Sequence, residues 1–225
     1  MSDTYIGLVD VGFLKAEGAR LLGTRTGQVR PDAEAVVDWF KSLDVDAVEG
    51  ATFVRTYWYD GAFDPSHGEY QGQRSYFDAI GFTPGVQLRL GHIAERSSRL
   101  ERPVLSALRN AAAGLDVDAE KLVAEFSRHW TFRPERQQKG VDTLIALDLV
   151  RLAGRSAFDT AVLVAGDRDL AEAVRATQDF GRRVVVATPS RKSVARELAQ
   201  LADDIIDLDQ ATVRSMLSLR SMPAG

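Results

Sequence analysis

Apolar residues along this chain follow two rhythms. Short runs read as strands: 5–9 and 161–165, apolar and buried, 52–59, rich in β-branched and aromatic residues, and 183–187, rich in Val. Between them, apolar positions spaced three and four apart predict helices over 12–22, 32–43, 170–180, 193–201 and 211–219, and one through Leu144, Ile145, Leu149 and Leu152 that stops at Gly154. Trp39 falls on the apolar face of its helix and is expected in the core. A shorter alternating run, 86–90, suits a strand nearer an edge, and Ile205 with Ile206 a last short strand. Residues 62–85 read as a long surface loop with one helical turn around 76–80. The stretch 92–138 is the least regular; its helical pieces, 104–113 and 118–130, read as an insertion or cap. Strands alternating with helices predict an α/β fold, a parallel sheet sandwiched between helices, as one domain over 1–225 with the insertion at about 92–138.

Composition narrows the setting. The 225 residues contain no cysteine, which removes disulfides and thiolate zinc sites and fits a reducing compartment. No basic segment precedes an apolar run at the start, and no apolar stretch approaches a membrane span, so a cytoplasmic protein without a membrane contact is expected. The net charge of -4 speaks against a generally basic nucleic-acid coat protein. Its distribution is uneven: residues 86–139 carry ten basic and seven acidic side chains and the remainder is strongly acidic. An acidic body with a mildly basic middle suits metal ions in one place and a phosphate backbone in another, or simply a solvated helical face in the middle.

The chemistry gathers at strand exits. Asp10 directly follows the first apolar run, Asp142 opens a helix after Gly140, and Asp167 and Asp169 follow the run 161–165 and Gly166. In an open parallel sheet such exits line one edge, where ligands bind. Capping explains some of these acids singly, because Asp142 and Asp167 are placed as helix N-caps and Asp169 falls in a first turn. It does not explain acids at three junctions of one edge. Clustered carboxylates repel unless a cation or proton intervenes, and oxygen ligands suit Mg²⁺ or Mn²⁺. Phosphodiester hydrolysis is the reaction class that follows.

These residues carry a resemblance. Leu8-Val9-Asp10-Val11-Gly12-Phe13-Leu14, Tyr57-Trp58-Tyr59-Asp60-Gly61, Val86-Gln87-Leu88-Arg89-Leu90-Gly91, Gln138-Lys139-Gly140-Val141-Asp142 and Val164-Ala165-Gly166-Asp167-Arg168-Asp169-Leu170 stand in the order seen in NYN domain proteins. The chain thus resembles the bacterial LabA-like branch of the PIN-like nucleases over nearly its whole length, 94–137 excepted. The resemblance implies a PIN-like three-layer sandwich and metal-dependent cleavage of RNA, single-stranded or structured, by clustered aspartates. It places Asp10, Asp142 and Asp167 as the metal-binding core, with Asp169 as a fourth ligand or water-orienting group and Mg²⁺ or Mn²⁺ as the ion. Lys139 would meet a phosphate, Asp60 stands on the same edge, and Arg89, Arg133 and Arg136 would guide the RNA. Phe13 stands where many family members have Asn, and Ala165 where many have a hydroxyl residue.

Other readings carry less. His67, His92 and His129 are too scattered for a metal triplet. Ser190 and Ser193 follow a strand end and suit capping, with a phosphate at the next helix as the alternative. Trp58 is expected in the sheet, while Trp130, near Arg128 and Arg133, could equally stack on a base. No Gly-rich nucleotide loop is present, and Gly12 occupies the place where a haloacid-dehalogenase-like phosphatase needs its second acid. A non-catalytic RNA-binding or regulatory module on the same fold is the alternative to a nuclease, and a homodimer is the expectation that soluble proteins in general supply.

Overall fold

The computed structural model describes residues 3–96, 102–115, 117–129 and 135–219. The chain divides into two compact units, one running to His92 and resuming at Gln138, the other Ile93–Gln137.

The strands of the main sheet are β1 (Thr4–Asp10), β3 (Thr52–Ala62), β4 (Val86–Arg96), β5 (Glu135–Lys139), β6 (Thr160–Val164), β7 (Arg183–Thr188) and β8 (Asp204–Asp207), of which β4 and β5 each have residues in both units. Their order is β5-β4-β3-β1-β6-β7-β8, and the pairs from β4 to β8 are parallel. The helices are α1 (Val11–Leu21), α2 (Ala33–Lys41), α3 (Tyr70–Gly81), α6 (Val141–Gly154), α7 (Ala171–Asp179), α8 (Arg196–Leu201) and α9 (Gln210–Met216). In the smaller unit lie α4 (Arg102–Gly114) and α5 (Ala119–His129), two amphipathic helices.

Alternation along the central strands explains the layers. In β1, Tyr5 and Val9 enter one apolar cluster with Leu14 of α1, Phe40 of α2 and Val213 of α9, while Ile6 and Leu8 enter a second with Ile145 of α6, Val174 of α7 and Leu198 of α8. β6 and β7 divide likewise, Val162 and Val185 to the first cluster and Leu163 and Val186 to the second. Strands apolar at every position are therefore covered by helices on both faces, which is the three-layer α/β sandwich expected of a PIN-like fold. Among the described residues, no helix is long and apolar enough to cross a membrane.

Several boundaries differ from the sequence reading. The expected loop 62–85 contains the twelve-residue α3, whose buried residues, Phe77 and Ile80, are one helical step apart on an otherwise polar, glycine-containing segment. The expected helix 211–219 ends at Met216, and Leu217–Leu219 (β9) pairs antiparallel with Val29–Pro31 (β2). Periodicity does not detect such a pair, because three-residue strands are specified by their partner. β5, Glu-Arg-Gln-Gln-Lys, has no apolar position to betray it. Single-turn 3₁₀ segments, Arg168–Leu170 and Arg191–Ser193, precede α7 and α8 and shorten both relative to expectation.

Candidate functional site

The chain steps from β1 to β3 and β4 on one side, then returns across to β6, β7 and β8 on the other. The reversal leaves a crevice at the carboxyl ends of β1 and β6, the place where open parallel sheets bind ligands. A cavity of about 640 Å³ lies there, and Asp10, Asp142 and Asp167 all line it.

Each carboxylate is delivered by a different element. Asp10 is the last residue of β1 and caps α1, accepting the Phe13 N–H at 3.1 Å. Asp167 follows β6 and caps the short 3₁₀ turn, accepting the Asp169 N–H at 3.0 Å. Asp142 lies in the first turn of α6, but the capping position belongs to Gly140, in the left-handed region and with no side chain to offer. Asp142 is therefore not the helix cap, although its carboxylate meets its own backbone N–H in the first turn.

Close packing at the crevice depends on two glycines. A methyl group on Gly166 would stand 2.4 Å from both the Phe13 ring and the Ser193 carbonyl oxygen, so α1 and the turn after β7 close on the β6 exit only because that position is bare. On Gly12 it would stand 2.5 Å from Gln138 Oε1 and 3.2 Å from Asp10 Oδ1.

The electrostatics are those of crowded like charges. Burial, the largest cause, raises the Asp10 carboxyl to about 6; Asp142 and Asp60 push it the same way, and the Phe13 N–H pulls it back. Asp142 is raised by burial first, then by Asp167 and Asp169. Among the described residues, none of Asp10, Asp60, Asp142, Asp167 or Asp169 forms an ion pair, and no three carboxylates or imidazoles stand close enough to hold one metal ion. The donor chemistry nonetheless suits a hard divalent cation: the Asp10 and Asp142 carboxylates are partly desolvated and repelled by neighbouring acids, Asp167 stands exposed among them, and the cavity lining has no thiolate or imidazole.

The remaining expected residues are scattered. Asp169 is exposed and lines a neighbouring depression with Arg175 and Glu197. Asp60 is buried beside the cavity, not in its lining, where its Oδ1 accepts both the Gly61 N–H and Gln138 Nε2 at 2.8 Å. Burial raises its carboxyl, and the Lys15 ammonium of α1 draws it back. Lys139 is exposed and outside the lining. Arg89 donates its Nε to Asp148 of α6 at 2.8 Å, with its side chain a quarter exposed. Arg136 pairs with Glu95 at 3.0 Å within the smaller unit. Arg133 and Trp130 lie outside the described residues. Trp58 is fully buried in the sheet, as expected. Ser193 lines the cavity, but its hydroxyl donates to the Ser190 carbonyl at 2.6 Å and caps no helix.

Sequence reasoning passed over Gln138, Arg168 and Lys192, all in the lining. The first two stand inside the segments that carried the family resemblance, Gln138 four residues before Asp142 and Arg168 between Asp167 and Asp169, and Lys192 follows the end of β7. Glu17 also lines the cavity, paired with Arg20.

Fold and site together define the class. Residues 28–209 match the model of the NYN domain, and the chain belongs to the NYN domain family, part of the PIN-like nuclease superfamily, whose members generally use divalent metals. A relative from Sinorhizobium fredii, "Uncharacterized protein y4oD", is 43% identical over 88 residues, 38% of this chain and 41% of that protein's length. The chain thus spans about two-fifths of that relative. A crystal structure of a protein of unknown function, VPA0982 from Vibrio parahaemolyticus, shares the fold with a TM-score of 0.51 at 16% identity, over 96% of this chain and 97% of that one.

Proposed function

We propose that the protein is a metal-dependent endoribonuclease that hydrolyses RNA phosphodiester bonds in the crevice between β1 and β6. The observation that carries this reading is a cavity lined by Asp10, Asp142 and Asp167 from three separate elements, none of them paired with a cation. Asp10 and Asp142 are partly buried and Asp167 is exposed beside them; unpaired carboxylates crowded at a sheet's ligand edge are unfavourable for folding, and their presence there speaks for chemistry. Asp10, Asp142 and Asp167 would hold Mg²⁺ or Mn²⁺ through one or two direct carboxylate oxygens and otherwise through the ion's own waters, as their spacing requires. The ion would supply charge neutralisation to a phosphodiester under attack by water.

The chain's own residues do the rest. The Phe13 and Asp169 N–H groups orient the Asp10 and Asp167 carboxylates before substrate arrives. Asp169, at the neighbouring depression, is assigned to orienting water. Lys192, and Arg168 shared with Glu197 at 3.4 Å, bring basic groups to the cavity lining, and Lys139, exposed at the end of β5, is a further phosphate contact. Arg136, paired with Glu95, adds a guiding charge in the smaller unit.

The test is cleavage of single-stranded and structured RNA by wild type and Asp167→Asn, with Mg²⁺, Mn²⁺ or EDTA. Cutting that requires the divalent ion and disappears in the variant is expected; equal cutting by the variant would sink the assignment. A second reading, a non-catalytic RNA-binding module, draws on the apolar Phe13 ring in the cavity and on the spacing of the carboxylates. RNA binding by wild type without cutting in either metal would select it.

A further inference from the structure

We propose that Gln138 reads the sugar of the substrate, its amide oxygen accepting a hydrogen bond from a ribose 2′-hydroxyl beside Asp10. This rests on the reading of the cavity as an RNA site and adds to it the atom that separates RNA from DNA.

The orientation of the amide follows from its partner. Gln138 Nε2 donates to Asp60 Oδ1 at 2.8 Å, and that oxygen also accepts the Gly61 N–H at 2.8 Å. An oxygen receiving two N–H groups can face only the NH₂ end of the glutamine, so the carbonyl oxygen, Oε1, must point the other way. Asp60 is only 6% exposed, within β3, and makes a rigid anchor. No described residue donates a hydrogen bond to Oε1.

Oε1 also has a defined place. Gln138 and Gly12 both line the cavity, and the point where a Gly12 side chain would begin is 2.5 Å from Oε1 and 3.2 Å from Asp10 Oδ1. The amide oxygen and the Asp10 carboxylate thus flank one bare spot at the start of α1. A buried carboxylate whose side-chain partner is this single amide is an expensive way to fill space, and a sensible way to hold an acceptor still.

An acceptor without a donor selects its ligand by chemistry. Phosphate oxygens and base carbonyls cannot donate to it; a sugar hydroxyl can. The 2′-hydroxyl is the donor that RNA has and DNA lacks. A deoxyribose placed there leaves Oε1 desolvated and unmatched, the situation in which a site rejects an analogue most strongly.

The experiment compares binding of an oligouridylate and the matched oligodeoxyuridylate, which share every base donor, by fluorescence anisotropy with Ca²⁺ replacing Mg²⁺. Wild type is expected to prefer the ribose form, and Gln138→Met to lower the ratio of the two affinities by about tenfold. Gly12→Ala, which displaces Oε1 without altering Gln138, is expected to lower the same ratio, and thermal melting identifies either variant as folded. A wild-type ratio of one, an unchanged ratio in a folded variant, or equal weakening of both oligonucleotides would overturn the proposal. The two readings fail separately: selective binding through Gln138 without cleavage removes the nuclease and keeps the sugar reader, whereas equal cutting of RNA and DNA does the reverse.

Discussion

Asp142 and Asp148 stand six residues apart on α6, and the fold treats them in opposite ways. Asp148 is buried and matched: Arg89 Nε donates to it at 2.8 Å and the Tyr59 hydroxyl at 3.1 Å. The Tyr59 hydroxyl is correspondingly harder to ionise, first through burial and then through Asp148. Asp142, about one and two-thirds turns away and in the cavity lining, has no cation partner among the described residues and feels Asp167 and Asp169 instead. The same chain thus neutralises a carboxylate completely where it serves packing and leaves one among like charges where it serves the cavity. Excess like charge at a pocket marks a place where stability has been traded for function.

The comparison breaks most sharply under isosteric exchange. Asp142→Asn is expected to cut RNA cleavage by about 10²–10³, the usual worth of a preorganised active-site electrostatic group, without lowering the melting temperature. Asp148→Asn at the other end of the helix should do the reverse in the same two measurements, retaining cleavage while losing stability. Arg89→Met tests the matched end from the other partner: it strands Asp148, and chemical denaturation should report a loss of about 2 kcal/mol, below the usual cost for a fully buried pair because Arg89 is a quarter exposed.

Asp10 sharpens the unmatched end. Its carboxyl stands at about 6 in the folded chain, above the ordinary value near 3.9 that the unfolded chain shows. The folded state therefore prefers the protonated form; the associated stability is fully present below about pH 3.9 and is lost as pH rises through about 6. Asp10→Asn keeps a side-chain oxygen for the Phe13 N–H and removes the charge. In EDTA it is expected to be more stable than wild type at pH 7.5 by on the order of 2 kcal/mol, and no more stable at pH 3.5. A melting-temperature difference that does not vary with pH would show that Asp10 is not strained by its charge. The smallest effect expected is at the rim: Lys192→Ala should weaken RNA binding modestly and for all sequences alike, reducing the slope of log affinity against log salt by about 0.7.

Much of the framework was legible because buried parallel strands are apolar at every position. The runs at 5–9, 161–165 and 183–187 became β1, β6 and β7 within a residue or two, and the acids directly after the first two are the acids at the crevice. α3 and β5 were not legible, the first because two buried residues are a faint helical signal, the second because its five residues are all polar. Arg89 shows the limit for side chains. A basic residue beside a recognisable motif reads as a substrate contact, yet its partner, Asp148, is 59 residues away along the chain and opposite only after β4 and α6 have packed.

By itself the sequence determined that strands would exit into Asp10 and Asp167, that a helix would begin beside Asp142, and that no thiolate could join them, because strand burial, turn chemistry and composition are local properties. The tertiary structure alone decided which of those acids share a cavity. The strand order, with its reversal between β1 and β6, brings three of them to one wall and leaves Asp169 in the next depression. It also introduces Gln138 through the gap at Gly12, a contact between residues 126 positions apart that no spacing along the chain encodes.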